Sequence, residues 1–213
     1  QTEVAYNNAV HTIRVGESKI HSTIFFQGGF GAYKRAIFDG FDREIDDSGT
    51  ALNIVQKKAR TLLVPEATYF TIFPNTWKGK IATKTRRAGQ LVKIWVKCLI
   101  LLLKGKLALP KKISLPELFL YIFNPIIFLS CVGTTLLLAL EHTLLFLVFS
   151  VIVSTVLLIE RSRILVIETI QDNCILSGAL FALLLNKRFA VWKTARGSRS
   201  SLTREMLERE GLI

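Results

Sequence analysis

Gly28-Gly29-Phe30-Gly31-Ala32-Tyr33-Lys34-Arg35, Ile45-Asp46-Asp47-Ser48-Gly49, Val64-Pro65-Glu66-Ala67 and Lys84-Thr85-Arg86-Arg87-Ala88-Gly89-Gln90 follow one another between residues 28 and 90. The runs that join them decide the fold class. Ala9 to Val15 alternates apolar and polar residues, Thr23-Ile24-Phe25-Phe26 is an apolar run before the glycines, Thr61-Leu62-Leu63-Val64 ends at Pro65, and Tyr69 to Phe73 ends at Pro74. Each reads as a strand. Tyr33 to Phe38 reads as a helix start, and Leu52, Val55 and Ala59 fall on one face of a helix from about Gly49 to Arg60. Strands and helices thus alternate along this stretch.

The small and charged residues in this stretch carry two readings each. Gly28, Gly29 and Gly31 permit a tight turn or a close approach of backbone to a ligand. Asp46 and Asp47, placed just before a helical pattern, act as caps favoured by the helix dipole or as a carboxylate pair for base chemistry. From Trp77 to Lys112 the chain carries eleven Lys and Arg and no Asp or Glu, with Lys84, Arg87 and Leu91 on one helical face. That run requires an anionic partner or a solvated face.

A net charge of +12 over 213 residues raises nucleic acid as a partner, yet the basic residues flank apolar segments instead of interleaving with exposed aromatics. That placement disfavours nucleic acid and favours an anionic membrane surface. Cys98, Cys131 and Cys174 are too far apart for a zinc site or a disulfide framework and read as small apolar residues. The chain begins at Gln1 without a Met or a leader to interpret, and an N-terminal part is expected to be missing.

Outward from the stretch, Leu91 to Leu103 sets Trp95 and leucines against Lys93 and Lys97, the pattern of an amphipathic interfacial helix within a linker of residues 91–117. Leu118 to Leu140 has no ionisable side chain and would be about 34 Å long as a helix, enough to cross a hydrocarbon core of roughly 30 Å. Glu141-His142 makes a turn, and Thr143 to Ile159 returns, giving a transmembrane α-hairpin over residues 118–159 with Asn124-Pro125 as a kink. Lys111, Lys112, Arg161 and Arg163 flank the hairpin while its turn has no Lys or Arg, which places both ends in the cytoplasm. Residues 160–192, interrupted by Glu168, Gln171, Asp172 and Asn173, are expected to be interfacial or re-entrant, followed by a cytoplasmic tail, 193–213.

The order of these motifs resembles the acceptor half of membrane-bound family 2 inverting glycosyltransferases. The resemblance implies an α/β fold, a partial GT-A catalytic domain over residues 1–90, an integral membrane enzyme with its catalytic part cytoplasmic, and transfer from a nucleotide-diphosphate sugar to a lipid-linked or glycan acceptor. It assigns Asp47 as the general base, Gly28, Gly29 and Asp46 to the acceptor, and Lys84, Arg86 and Arg87 to the diphosphate and acceptor. Lys84-x-x-Arg87-Ala88 carries Lys and Ala where processive synthases of the family carry Gln and Trp. Residues 188–196 resemble the family's C-terminal Trp, Lys-Thr and Arg pattern. The Asp-x-Asp motif that holds a divalent cation, Mg or Mn, has no counterpart, so no metal ligand is assigned in this chain and the nucleotide half is expected upstream. The alternative is a non-enzymatic membrane scaffold whose basic portion binds anionic lipid.

Overall fold

The computed structural model describes residues 2–25, 31–42, 45–67 and 76–185. Among them the chain is helical, with no sheet, and the α/β expectation is corrected. Ala9 to Val15, read as a strand from its alternation, lies inside α1 (Thr2–Ile20). Its alternation is short, and the longer pattern that buries Arg14, Glu17 and Ser18 together recurs at helical spacing. Ser22 to Phe25 and Thr61 to Val64 form neither helix nor strand, and the backbone hydrogen bond that joins them runs from Thr23 N to Thr61 O, at 3.0 Å. Side chains complete the pairing: Thr61 Oγ1 donates to the Thr23 carbonyl at 2.6 Å, and Thr61 N donates to Ser22 Oγ at 3.2 Å. Hydroxyls thus satisfy groups that a ladder would otherwise take. Tyr69 to Phe73 lies outside the described residues.

The Tyr33–Phe38 helix reduces to one 3-10 turn, Arg35–Ile37, after which Gly40 takes a positive φ of 112°. α2 spans Asp46–Gln56 and buries Ala51, Leu52 and Val55 against α3, Trp77–Leu103. α3 joins the basic run and the Trp95 segment into one helix of 27 residues, opened by Thr76 Oγ1 accepting from Gly79 N. Its Val92, Ile94, Trp95 and Cys98 are core residues rather than the exposed face of a peripheral helix, each fully burying side chain worth about 1.5–3 kcal/mol for the larger ones. α3 packs most extensively on α7, Glu160–Leu184.

Between them runs a continuous helical stretch: α4 (Lys111–Leu118), a π-helical turn (Phe119–Phe123) and α5 (Asn124–Glu141). The wide turn has a local cause. Pro125 lacks an amide proton and its ring would press on the carbonyl four residues back, that of Tyr121, so the helix widens where Tyr121 sits. A turn at His142 leads to α6, Thr143–Leu158. Lys111–Glu141 and Val166–Leu184, of 31 and 19 residues, are long and apolar enough to cross a membrane, whereas α6 has 16. Their leucines face outward: Leu140 and Leu158 are 81% and 83% exposed. A continuous apolar surface of this kind belongs against lipid, and the chain associates with a membrane. Residues 160–184 form one unbroken helix.

Candidate functional site

Asp47 is the second residue of α2 and is half-buried, and Asp46 is the first. Neither occupies the N-cap, which is Ile45 and makes no side-chain cap bond. The capping work falls instead to Asp42, which sequence reading passed over. Its Oδ1 accepts from Ile45 N at 2.9 Å, and its own amide donates to Thr50 Oγ1 at 2.9 Å. Its Oδ2 lies 3.5 Å from both Asn53 Nδ2 and Lys97 Nζ. Asp42 therefore ties the chain before α2 to the helix and, through Lys97, to α3. Gly49 is required by this arrangement, since a Cβ there would lie 2.7 Å from the Asp42 Cγ and 2.8 Å from the Ile45 Cβ. The result is a tied start to the first turn of α2.

The basic motif of α3 divides. Lys84 Nζ is held by α7, 3.1 Å from Asp172 Oδ1 and 3.3 Å from Glu168 Oε2. Burial pulls its ammonium toward release of the proton, but the two carboxylates outweigh this and raise the pKa. Glu168 and Asp172 stand one turn apart, so both reach the same ammonium. Those acids, which interrupted the apolar run in the sequence, are internal partners of α3. Asn173 has a similar use, accepting from Asn124 Nδ2 at 3.0 Å beside the proline. Arg87 is exposed and Arg86 is half-buried on the same helix. Val64-Pro65-Glu66-Ala67 forms an exposed turn closed by Ala67 N donating to Val64 O at 3.1 Å. Gly28 and Gly29 lie outside the described residues, as does the 188–196 segment.

A second polar centre was not read from the sequence. Arg14, 3% exposed, donates to Glu17 at 2.9 Å and to Glu117 at 2.8 Å, with Tyr121 Oη at 3.5 Å. Its guanidinium also sits 4.4 Å from the Phe25 ring centroid. This cluster fastens α1 to α4 and the π-helical turn, and Tyr121 in turn stacks on Trp95. The signal was present: Glu117 is the single acidic residue between Trp77 and Leu140.

Compared with known proteins, the chain matches no family model, no curated protein and no solved structure.

Proposed function

We propose that this chain supplies the acceptor-side and membrane-holding part of an inverting glycosyltransferase that uses a nucleotide-diphosphate sugar. One observation carries the reading: Asp46-Asp47, Val64-Pro65-Glu66-Ala67 and Arg86-Arg87 occur in order on a chain that runs straight into membrane-competent helices, with Asp47 half-buried on a helix whose start is fixed by Asp42 and Gly49. Inverting transfer requires a base on the acceptor hydroxyl and positive charge on the departing diphosphate. Asp47 is the base in this reading, and Arg86 and Arg87 meet the diphosphate. Lys84, already paired with Glu168 and Asp172, acts by holding α3 against α7. Among the described residues no group of three or more His, Cys, Asp or Glu is arranged to hold a divalent cation. The apolar helices keep the site near the headgroups, which suits a lipid-linked or membrane-emergent acceptor.

The experiment is sugar transfer by membranes containing the native polypeptide, supplied with labelled nucleotide-diphosphate sugars. Arg87→Lys is expected to lower transfer at least about tenfold, because it keeps the charge but loses the planar fork that binds a diphosphate through two hydrogen bonds. Unchanged transfer by the lysine variant removes Arg87 from the assignment.

A second reading, a membrane scaffold with a basic face for anionic lipid, is favoured by the internal use of Lys84 and by the helical architecture. It requires vesicle binding that rises with anionic lipid and no transfer to any acceptor.

The charge asymmetry about Glu141-His142 further places both flanks of the 118–159 hairpin in the cytoplasm in this proposal. Cysteines introduced at His142 and Ser198 test it by labelling in intact cells, with the exposed Cys131 and Cys174 replaced by serine. Cys98 can stay, since burial pushes its thiol up to about 12. Labelling from outside is expected at 142 alone; external labelling at 198 refutes the two-crossing arrangement.

A further inference from the structure

The turn that leads from α3 into α4 gathers four lysines, Lys104, Lys106, Lys111 and Lys112. All four are exposed, and among the described residues none of their ammonium groups is ion-paired. The neighbouring sequence supplies no counter-charge: Trp77 to Lys112 holds no Asp or Glu, and the next acid, Glu117, is buried against Arg14. The backbone that carries the lysines is fixed. Lys106 N donates to Leu101 O at 2.8 Å and Gly105 N to Leu102 O at 3.0 Å, closing α3 with Gly105 at a positive φ of 66°. Leu109 and Ile113, between and beyond the lysines, are buried in the core. Lys111 and Lys112 occupy the first turn of α4, where the helix dipole disfavours cations and no acidic residue offsets them. Four like charges on one ordered turn find their partner outside the chain.

The surroundings of the lysines select the anion. Leu103 is 79% exposed, and Ile100 and Leu115 are exposed as well, so the turn presents aliphatic side chains among its charges. A nucleic acid has no use for those side chains, whereas a bilayer surface receives both, the leucines below and the ammonium groups at headgroup level. Height agrees with this. Lys112 lies seven residues before Phe119, where the exposed rings and leucines of the membrane-competent helix begin, or about 10 Å along the axis. The headgroup layer outside the hydrocarbon is roughly 5–8 Å thick per leaflet, within reach of a lysine stem from that height. We infer that the Lys104–Lys112 turn is a docking surface for the anionic phospholipid headgroups of the leaflet that the Lys111–Glu141 helix enters. The inference goes beyond both readings above, since it holds for an enzyme and a scaffold alike and assigns the lipid contact to one turn.

The test uses the full chain in lipid nanodiscs, with Cys131 and Cys174 replaced by serine and a bimane fluorophore on Leu115→Cys. Quenching by dibrominated phosphatidylglycerol and by dibrominated phosphatidylcholine gives the relative association of the two lipids at the turn. Phosphatidylglycerol is expected to be favoured at least about fivefold at low ionic strength, and the preference to fall in about 1 M salt. Lys104→Gln, Lys106→Gln, Lys111→Gln and Lys112→Gln together are expected to bring the ratio to about one, while arginine at the same four positions keeps it. Glutamine at four other exposed lysines, Lys19, Lys34, Lys58 and Lys78, is expected to leave the ratio unchanged. Circular dichroism matching the parent shows that the helices persist in each variant. Equal association of the two lipids, with or without lysine-dependent binding of an RNA oligonucleotide, overturns the inference. So does a preference that the four glutamines at the turn preserve, or one that the other four remove as fully. Sugar transfer does not enter the measurement, so a failed lipid preference leaves the transferase reading standing, and a failed transfer assay leaves the docking surface.

Discussion

On the transferase proposal, the Asp47→Asn variant of the native polypeptide is expected to fold, to enter membranes and to transfer sugar at roughly one hundredth to one ten-thousandth of the parent rate. The expected fall corresponds to about 2.7–5.5 kcal/mol in the barrier, the range over which a positioned base contributes. An amide has the size of the carboxylate but cannot take the acceptor proton. The structural cost is far smaller. Asp47 sits inside the first turn of α2 and not at its N-cap, so asparagine forfeits a favourable charge near the helix dipole, about 0.3–1 kcal/mol, while Asp42 continues to accept from Ile45 N. Two measurements read the separate effects: initial rates of transfer in membranes, and thermal unfolding followed by circular dichroism. Transfer at the parent rate by a folded, inserted variant returns Asp47 to a purely structural role. Asp42→Asn is the informative contrast, since Asp42 touches the helix start, Thr50 and Lys97, and its loss acts on stability as well as on rate.

The legible and illegible parts of this chain divide along a physical line. Long apolar runs are insensitive to context, so the helices of the 118–159 hairpin and their turn at His142 were visible in the sequence, the second ending at Leu158. Short segments were not. Seven residues of alternation at Ala9–Val15 can serve a strand or one face of a helix, and what settles the matter is Glu117, a partner 103 residues beyond Arg14. Thr23 and Thr61 likewise have strand-forming side chains, but the same hydroxyls compete for the backbone groups that a ladder would use. Of the candidate site, the position of Asp46 and Asp47 at a helix start was legible from spacing. The cap is not legible from spacing, because Asp42 lies outside the helical pattern, and its bond from Ile45 N and the lack of room for a Cβ at Gly49 reveal the fit. Glu168 and Asp172 were read as obstacles to a membrane helix, whereas their one-turn spacing marks a shared partner, Lys84. A pair of acids in an apolar run calls for a cation elsewhere in the chain.

The same reasoning sets the largest stability effect, at Arg14. Arg14→Met is expected to destabilise the protein by about 3–5 kcal/mol, because it leaves Glu17 and Glu117 buried together without their cation. The guanidinium is held firmly protonated: burial works against its charge, but Glu117, Tyr121 and Glu17 together more than offset that and raise its pKa. Two carboxylates face one guanidinium, and among the described residues Glu17 Oε2, Arg14 Nε and Ser114 Oγ have no hydrogen-bond partner. The cluster is consequently unequal in its parts. Glu117→Gln removes the surplus negative charge and keeps the Arg14–Glu17 pair, so it is expected to cost less than half as much. Urea unfolding of detergent-solubilised protein, with protease cleavage in α1 as a local probe, ranks the variants. A loss below about 1 kcal/mol for Arg14→Met would mean that water reaches the cluster, as it does for surface pairs. Replacing Arg14, Glu17 and Glu117 together by Met, Leu and Leu is expected to recover most of the stability, since no buried charge then remains without a partner. What that triple variant loses is register. Arg14 bonds α1 to one position on α4 and, through Tyr121, to the widened turn before Pro125, so an apolar contact of equal strength would let α1 slide where the ion cluster holds it.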